Sequence, residues 1–151
     1  MAEFWEVCIE CTDRMKDQAI KMFASQFHGM ANDITIAQMK VIQAVIKLVE
    51  QQPEGPTLRN VADYLGITPG ATSTAVDLLV RNGILLRQIN PNNRRAVCIL
   101  PSQNLVELRK KLTEHFKFLF DRALNQLSED EKNACIKAST LIEESINIYE
   151  E

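Results

Sequence analysis

The residues best equipped for chemistry lie between positions 68 and 95. Thr68, Gly70, Thr72, Ser73 and Thr74 crowd short hydroxyl side chains around a glycine, and Arg81, Arg87, Asn93, Arg94 and Arg95 follow. A guanidinium stays charged at any working pH and presents a rigid fork of donors, so this set suits the phosphate oxygens of a polyanion. The short side chains would let a backbone come close to whatever they face. A second candidate is Cys8-Ile9-Glu10-Cys11, a CxxC, the spacing of a redox pair or of half a zinc site. Zinc would need two more ligands, and His28 and His115 have no partner at ligand spacing. On a helix both thiols fall on an apolar stripe, which also fits two buried core cysteines. No Gly-rich phosphate loop, G-x-S-x-G or histidine beside a nucleophile is present, so neither catalysis nor a cofactor is expected. A CxxC oxidoreductase would want its cysteines after a strand, and the context here is helical.

The hydroxyl cluster is positioned by two short helices. Thr57 is a natural N-cap, and Leu58, Val61, Ala62 and Leu65 share one face before Gly66 stops the helix. Thr68-Pro69 opens the next, with proline where no N–H is missed. Ala71, Ala75, Leu78 and Leu79 are expected to be buried there, leaving Gly70, Ser73, Thr74, Asp77 and Arg81 outside, until Gly83 ends it. The arginine pair is positioned by two β-rich runs, Ile84–Ile89 and Ala96–Leu100, around the turn residues Asn90-Pro91-Asn92-Asn93. Two helices joined by a Gly-containing turn and followed by a hairpin read as a winged helix-turn-helix.

Residues 57–100 resemble the MarR family of bacterial transcription regulators. The likeness runs through Ile67-Thr68-Pro69, Val76-Asp77-Leu78-Leu79, Asn82-Gly83-Ile84-Leu85, Arg87 and the wing Pro91-Asn92-Asn93-Arg94-Arg95-Ala96-Val97. The family wing typically carries Asp-x-Arg, with the aspartate steadying the arginine. Here Asn93 stands in place of the acid, and Ala75 stands where the family often has an arginine. The resemblance implies a homodimer that binds double-stranded DNA, usually as a repressor on a pseudo-palindromic operator in a bacterial cytoplasm. It also implies release by an effector, a small anionic phenolic compound or an oxidant. A ligand cleft would lie near His28, Met30 and Met39, residues that fit core filling equally well. Peroxide-sensing members use a cysteine near the start of the first helix, which gives Cys8 and Cys11 a redox reading.

The 151 residues are 46% hydrophobic and 25% charged, the profile of one soluble globular domain. Net charge is −3 overall, yet residues 57–100 carry +3 and the remainder −6. A basic patch on an acidic body would orient the molecule on a polyanion. Charges threaded through MAEFWEVCIECTDRMK argue against a signal peptide or membrane span, and four cysteines without such a signal point to reduced thiols. Cys98 and Cys135 read as packing residues.

The flanking segments, 1–52 and 101–151, read as long helices. A first helix over residues 2 to about 28 carries Phe4, Val7, Cys8, Cys11, Met15, Ala19, Met22 and Phe23 at helical spacing, and residues 28–33 break it. Thr35-Ile36-Ala37-Gln38 is a capping box for a helix carrying Met39, Ile42, Val45, Ile46 and Val49, and residues 53–56 are a rigid connector. After Pro101-Ser102 an apolar stripe runs from Leu105 through Leu108, Leu112, Phe116, Leu119 and Ala123 to Leu127. Ser128-Glu129-Asp130-Glu131 is a second capping box, starting a helix lined by Ala134, Cys135, Ala138, Leu141, Ile142, Ile146 and Tyr149. This apolar surface exceeds what a single winged unit can cover, so a two-fold dimer through the terminal helices is expected. The expected fold is therefore mainly α: one domain, with a winged helix-turn-helix and a two-stranded β wing between dimerisation helices. Its alternatives in function are a winged-helix interaction module without DNA binding, and a thiol sensor built on Cys8 and Cys11.

Overall fold

Most helices begin where a side chain replaces a missing backbone partner. In the computed structural model, which describes residues 2–27 and 34–147, the order is α1 (Phe4–Gln26), α2 (Ile36–Gln51), α3 (Leu58–Leu65), α4 (Pro69–Arg81), β1 (Leu85–Asn90), β2 (Asn93–Pro101), α5 (Gln103–Leu124) and α6 (Glu129–Asn147). Thr35 Oγ1 accepts the Gln38 N–H at 3.2 Å while Gln38 Oε1 accepts the Thr35 N–H at 2.9 Å, the reciprocal box that starts α2. Asn60 completes the same exchange with Thr57 at α3. Thr68 caps α4 with Pro69 first in the helix, and Ser128 with Glu131 caps α6. Gly66 closes α3 at φ 65°, a left-handed value that glycine adopts freely.

The core draws on every element from α2 to α5. Val41, Val45, Val61, Val76, Leu79, Ile84, Leu85, Ile99, Leu105 and Leu108 are buried together. Each such side chain removed from water contributes about 1.5–3 kcal/mol. The choice of buried residues corrects the expected rotation of α4. Its inner face is Thr72, Val76 and Leu79; Ala71 is exposed, and Ala75 and Leu78 are half-buried. Leu79 is inside on either rotation; the observed one puts the larger Val76 in place of Ala71 and Ala75, leaves Leu78 half-buried and carries Thr72 inward.

The strands are antiparallel, with Leu85 opposite Pro101, Arg87 opposite Ile99 and Ile89 opposite Val97. The next pair is Asn90 with Asn93, so Arg94, Arg95 and Ala96 are surplus residues on β2. The wing strands thus end at Asn90 and begin again at Asn93, closer to the tip than composition suggests. Below the tip, the connector pins the hairpin from its other side. The Ile99 N–H donates to the Pro56 carbonyl at 2.8 Å, and Thr57 bridges Cys98. Gly55 permits this approach: its φ is +94°, and a Cβ there would stand 2.8 Å from the Ile99 carbonyl oxygen.

Packing divides the chain into Met1–Leu112 and Thr113–Glu151. Within the first unit α1 reaches the core through Met22 and Phe23, and no residue of the helix itself is buried. The burial expected for Cys8 and Cys11 therefore does not occur: Cys8 is half-buried and Cys11 exposed, because no element of that unit covers their stretch of helix. Cys98 is buried as expected, whereas Cys135 is exposed on α6, none of whose described side chains is buried. Burial on α5 is complete only at Leu105 and Leu108. Leu119 and Ala123 on α5, and Ala134, Leu141, Ile142 and Ile146 on α6, are exposed where an inner stripe was expected. Phe4, Trp5, Ile9, Phe118 and Phe120 are exposed as well. His28, Met30 and Tyr149 lie outside the described residues. Among the described residues no helix is long and apolar enough to cross a membrane.

Candidate nucleic-acid interface

The outer side of α4 presents backbone and short polar groups. Thr68 and Gly70 are exposed at its start, followed by half-buried Ser73 and exposed Thr74. The hydroxyls are not equivalent. Thr68 Oγ1 accepts the Ala71 N–H at 3.3 Å, which leaves its proton to donate outward. Thr74 donates its proton to the Gly70 carbonyl at 3.1 Å, leaving oxygen lone pairs and a methyl group for an incoming surface. A Cβ at Gly70 would meet nothing within 4 Å. Nothing inside the protein therefore requires glycine there.

Thr72 does not belong to this surface. It is fully buried, and its hydroxyl donates to the Thr68 carbonyl at 3.0 Å. The candidate set loses it for the reason that set the helix rotation.

Arg87 is engaged differently from a free phosphate contact. Its Nη1 lies 2.7 Å from Asp77 Oδ1, joining β1 to α4. The two side chains are 39% and 44% exposed, so the pair contributes at most about 1 kcal/mol to stability. Its larger effect is on charge and orientation: Asp77 would otherwise place an unopposed carboxylate beside the hydroxyl face. Arg81 lies on the same outer side, its Nε donating to the Asp77 carbonyl at 3.4 Å. Both arginines stand out by residue type in the sequence, whereas their partners do not.

At the wing tip Arg94 and Arg95 are exposed, and no acidic side chain pairs with either among the described residues. The Asn93 side-chain oxygen accepts the Arg95 N–H at 3.2 Å. Asn90, a turn former by residue type, holds the other side of the tip through three hydrogen bonds. Its signal in the sequence is the Asn-Pro dipeptide, which favours turn initiation.

Elsewhere Met39 is half-buried on α2 and all four cysteines are free thiols. No group of three or more His, Cys, Asp or Glu side chains could hold a metal ion among the described residues. Glu131 is held below the usual carboxylate range, first by the Ser128 backbone N–H at 2.8 Å and then by its hydroxyl at 2.9 Å.

Against known proteins, residues 34–97 match the model of the MarR family. A Bacillus subtilis protein described as an uncharacterized HTH-type transcriptional regulator, YwhA, is 29% identical over 76 residues. That match covers 50% of this chain and 55% of the relative, so the likeness spans only about half the length of that curated protein. Among solved structures, the Staphylococcus aureus MepR–DNA complex has a TM-score of 0.68 at 22% identity, over 95% of this chain and 97% of that one. MepR bound to ethidium bromide has a TM-score of 0.66 at 21% identity, over 96% and 97%. At these identities the likeness carries the architecture: both chains are winged helix-turn-helix folds.

Proposed function

We propose, on the premise that residues 34–97 match the MarR family model, that this chain is a sequence-specific DNA-binding transcription regulator. One observation supports this most: an exposed, short-side-chain face on α4 stands with an acid-free arginine pair on a single pinned frame. The α4 N-terminus would enter the major groove, with Thr68, Gly70, Ser73 and Thr74 at base edges and thymine methyls. Arg81 would meet the backbone, and Arg94 with Arg95 the flanking phosphates or the narrow minor groove. Arg87 acts through Asp77 as well as through its remaining exposed charge.

The reading extends to a homodimer on a pseudo-palindromic operator. Its support is the apolar surface on the terminal helices, where Trp5 is 60% and Phe118 62% exposed. A two-fold pair would set two α4 helices about 34 Å apart, one turn of duplex. We further propose repression, relieved by a small organic anion near Met39 or by an oxidant acting on exposed Cys11 and neighbouring Cys8. Such an effector must favour the wrong α4 separation, or it releases nothing. The protein acts by binding rather than by catalysis.

The test is selection of duplexes from genomic fragments, followed by anisotropy titration across salt. Arg94→Ala and Arg95→Ala are each expected to lower the slope of log K against log salt by about one phosphate unit. Failure to enrich any duplex, or slopes equal to that of the unmodified protein, refutes the reading.

A further inference from the structure

One side chain links the wing tip to the stem of the hairpin. We propose that Asn90 is the positioning residue of the arginine pair: its carboxamide ties the tip to the buried centre of the hairpin without adding negative charge. This rests on the DNA-binding reading above. Asn90 Oδ1 accepts the Asn92 N–H at 2.8 Å and the Asn93 N–H at 3.2 Å. Backbone N–H groups only donate, so the oxygen must face them and the amide nitrogen must face the other way. There Nδ2 donates to Cys98 Sγ at 3.2 Å.

Cys98 is a fixed anchor. It is fully buried, paired with Gln88 of β1 on one side and bridged to Thr57 on the other. The tip needs such an anchor because the ladder fails there. The register breaks between Ile89 and Asn90, and the three surplus residues 94–96 have no opposite partners. Side-chain bonds to the tip amides therefore help to fix the arginine pair, and Asn90 supplies two of the three. A carboxylate in its place could accept the same N–H groups, but it has no proton to donate to Cys98 Sγ and would bring a negative charge to the position where phosphates are expected.

A double-mutant cycle tests this. Asn90→Ala is expected to weaken selected-duplex affinity about five- to tenfold while the thermal midpoint moves little, since the lost bonds are at an exposed tip. In the Arg94→Ala/Arg95→Ala background the same substitution is expected to change affinity less than twofold, because the groups it positions are gone. Asn90→Asp keeps the acceptor but loses the Cys98 anchor and adds charge, so it is expected to retain part of the slow amide exchange at Asn92 and Asn93 that Asn90→Ala loses, yet still weaken binding. Equal losses in both backgrounds would overturn the proposal by making Asn90 a direct contact or a general structural residue. Unchanged exchange at Asn92 and Asn93 in Asn90→Ala would overturn it independently of DNA. If the arginine double variant alone leaves affinity unchanged, the wing's DNA role fails, and amide exchange still decides whether Asn90 orders the tip.

Discussion

Gly70→Ala should move stability and function in opposite directions. Gly70 is the second residue of α4, and a Cβ there would meet nothing within 4 Å, so the methyl enters without collision inside the protein. Alanine is better than glycine in a helix interior by about 1 kcal/mol, and the first turn realises roughly half of that. For a chain of this size such a gain raises the melting midpoint by about 1–2 °C. In the proposed complex the same methyl would stand at the closest approach of the α4 backbone to the duplex. Forcing an extra methyl group into a packed contact costs about 1–3 kcal/mol, which is about five- to 150-fold in affinity. Differential scanning calorimetry and anisotropy titration at one fixed salt concentration, on the same preparation, read the two effects. Affinity unchanged while the midpoint rises would refute the placement of the α4 N-terminus against DNA. A lower midpoint would refute the claim that glycine is not needed by the fold.

Gly55→Ala is expected to destabilise by about 2–4 kcal/mol, combining left-handed strain with a Cβ 2.8 Å from a backbone oxygen that cannot retreat cheaply. Chemical denaturation reads it, and an unchanged midpoint would show that the connector is not pinned to β2. Thr72→Val removes a buried hydroxyl, but the Thr68 carbonyl keeps the Thr72 N–H at 3.0 Å. Stability within about 1 kcal/mol and unaltered duplex affinity are expected, and lost affinity would return Thr72 to the interface. Glu131 titrates below its ordinary value, so its share of α6 stability is present above that value and disappears as pH falls through the lowered one. Ser128→Ala should reduce this acid loss of helicity, as followed by circular dichroism between neutral and acid pH. An identical acid profile would remove Ser128 as its cause.

The features legible in sequence are those whose partners lie within one helical turn. Thr35 with Gln38, Thr57 before α3, Thr68-Pro69 and Ser128 with Glu131 each need only neighbours three residues away, and all of them occur as read. The rotation of α4 was not legible. Ala71/Ala75 and Thr72/Val76 are stripes one residue apart, and only the volume offered by Val41, Val45 and Leu85 selects between them. A stripe also says which residues share a face without saying what covers it, which is why Cys8 and Cys11 are less buried than their spacing suggests. Within the candidate site, residue type pointed to the arginines. The Asp77–Arg87 pair and the Asn90–Cys98 bond cross between elements, and no local pattern encodes them.

Because the surplus of β2 is absorbed beyond the Ile89–Val97 pair, the hairpin stem does not record how long its cap is. Residues could be gained or lost between Asn90 and Ala96 while Leu85, Cys98 and Ile99 keep their neighbours. The cap is thus an exchangeable part on an invariant mount. Grafting tips of other lengths or charges onto this stem would retune what it grips without asking the rest of the molecule to refold.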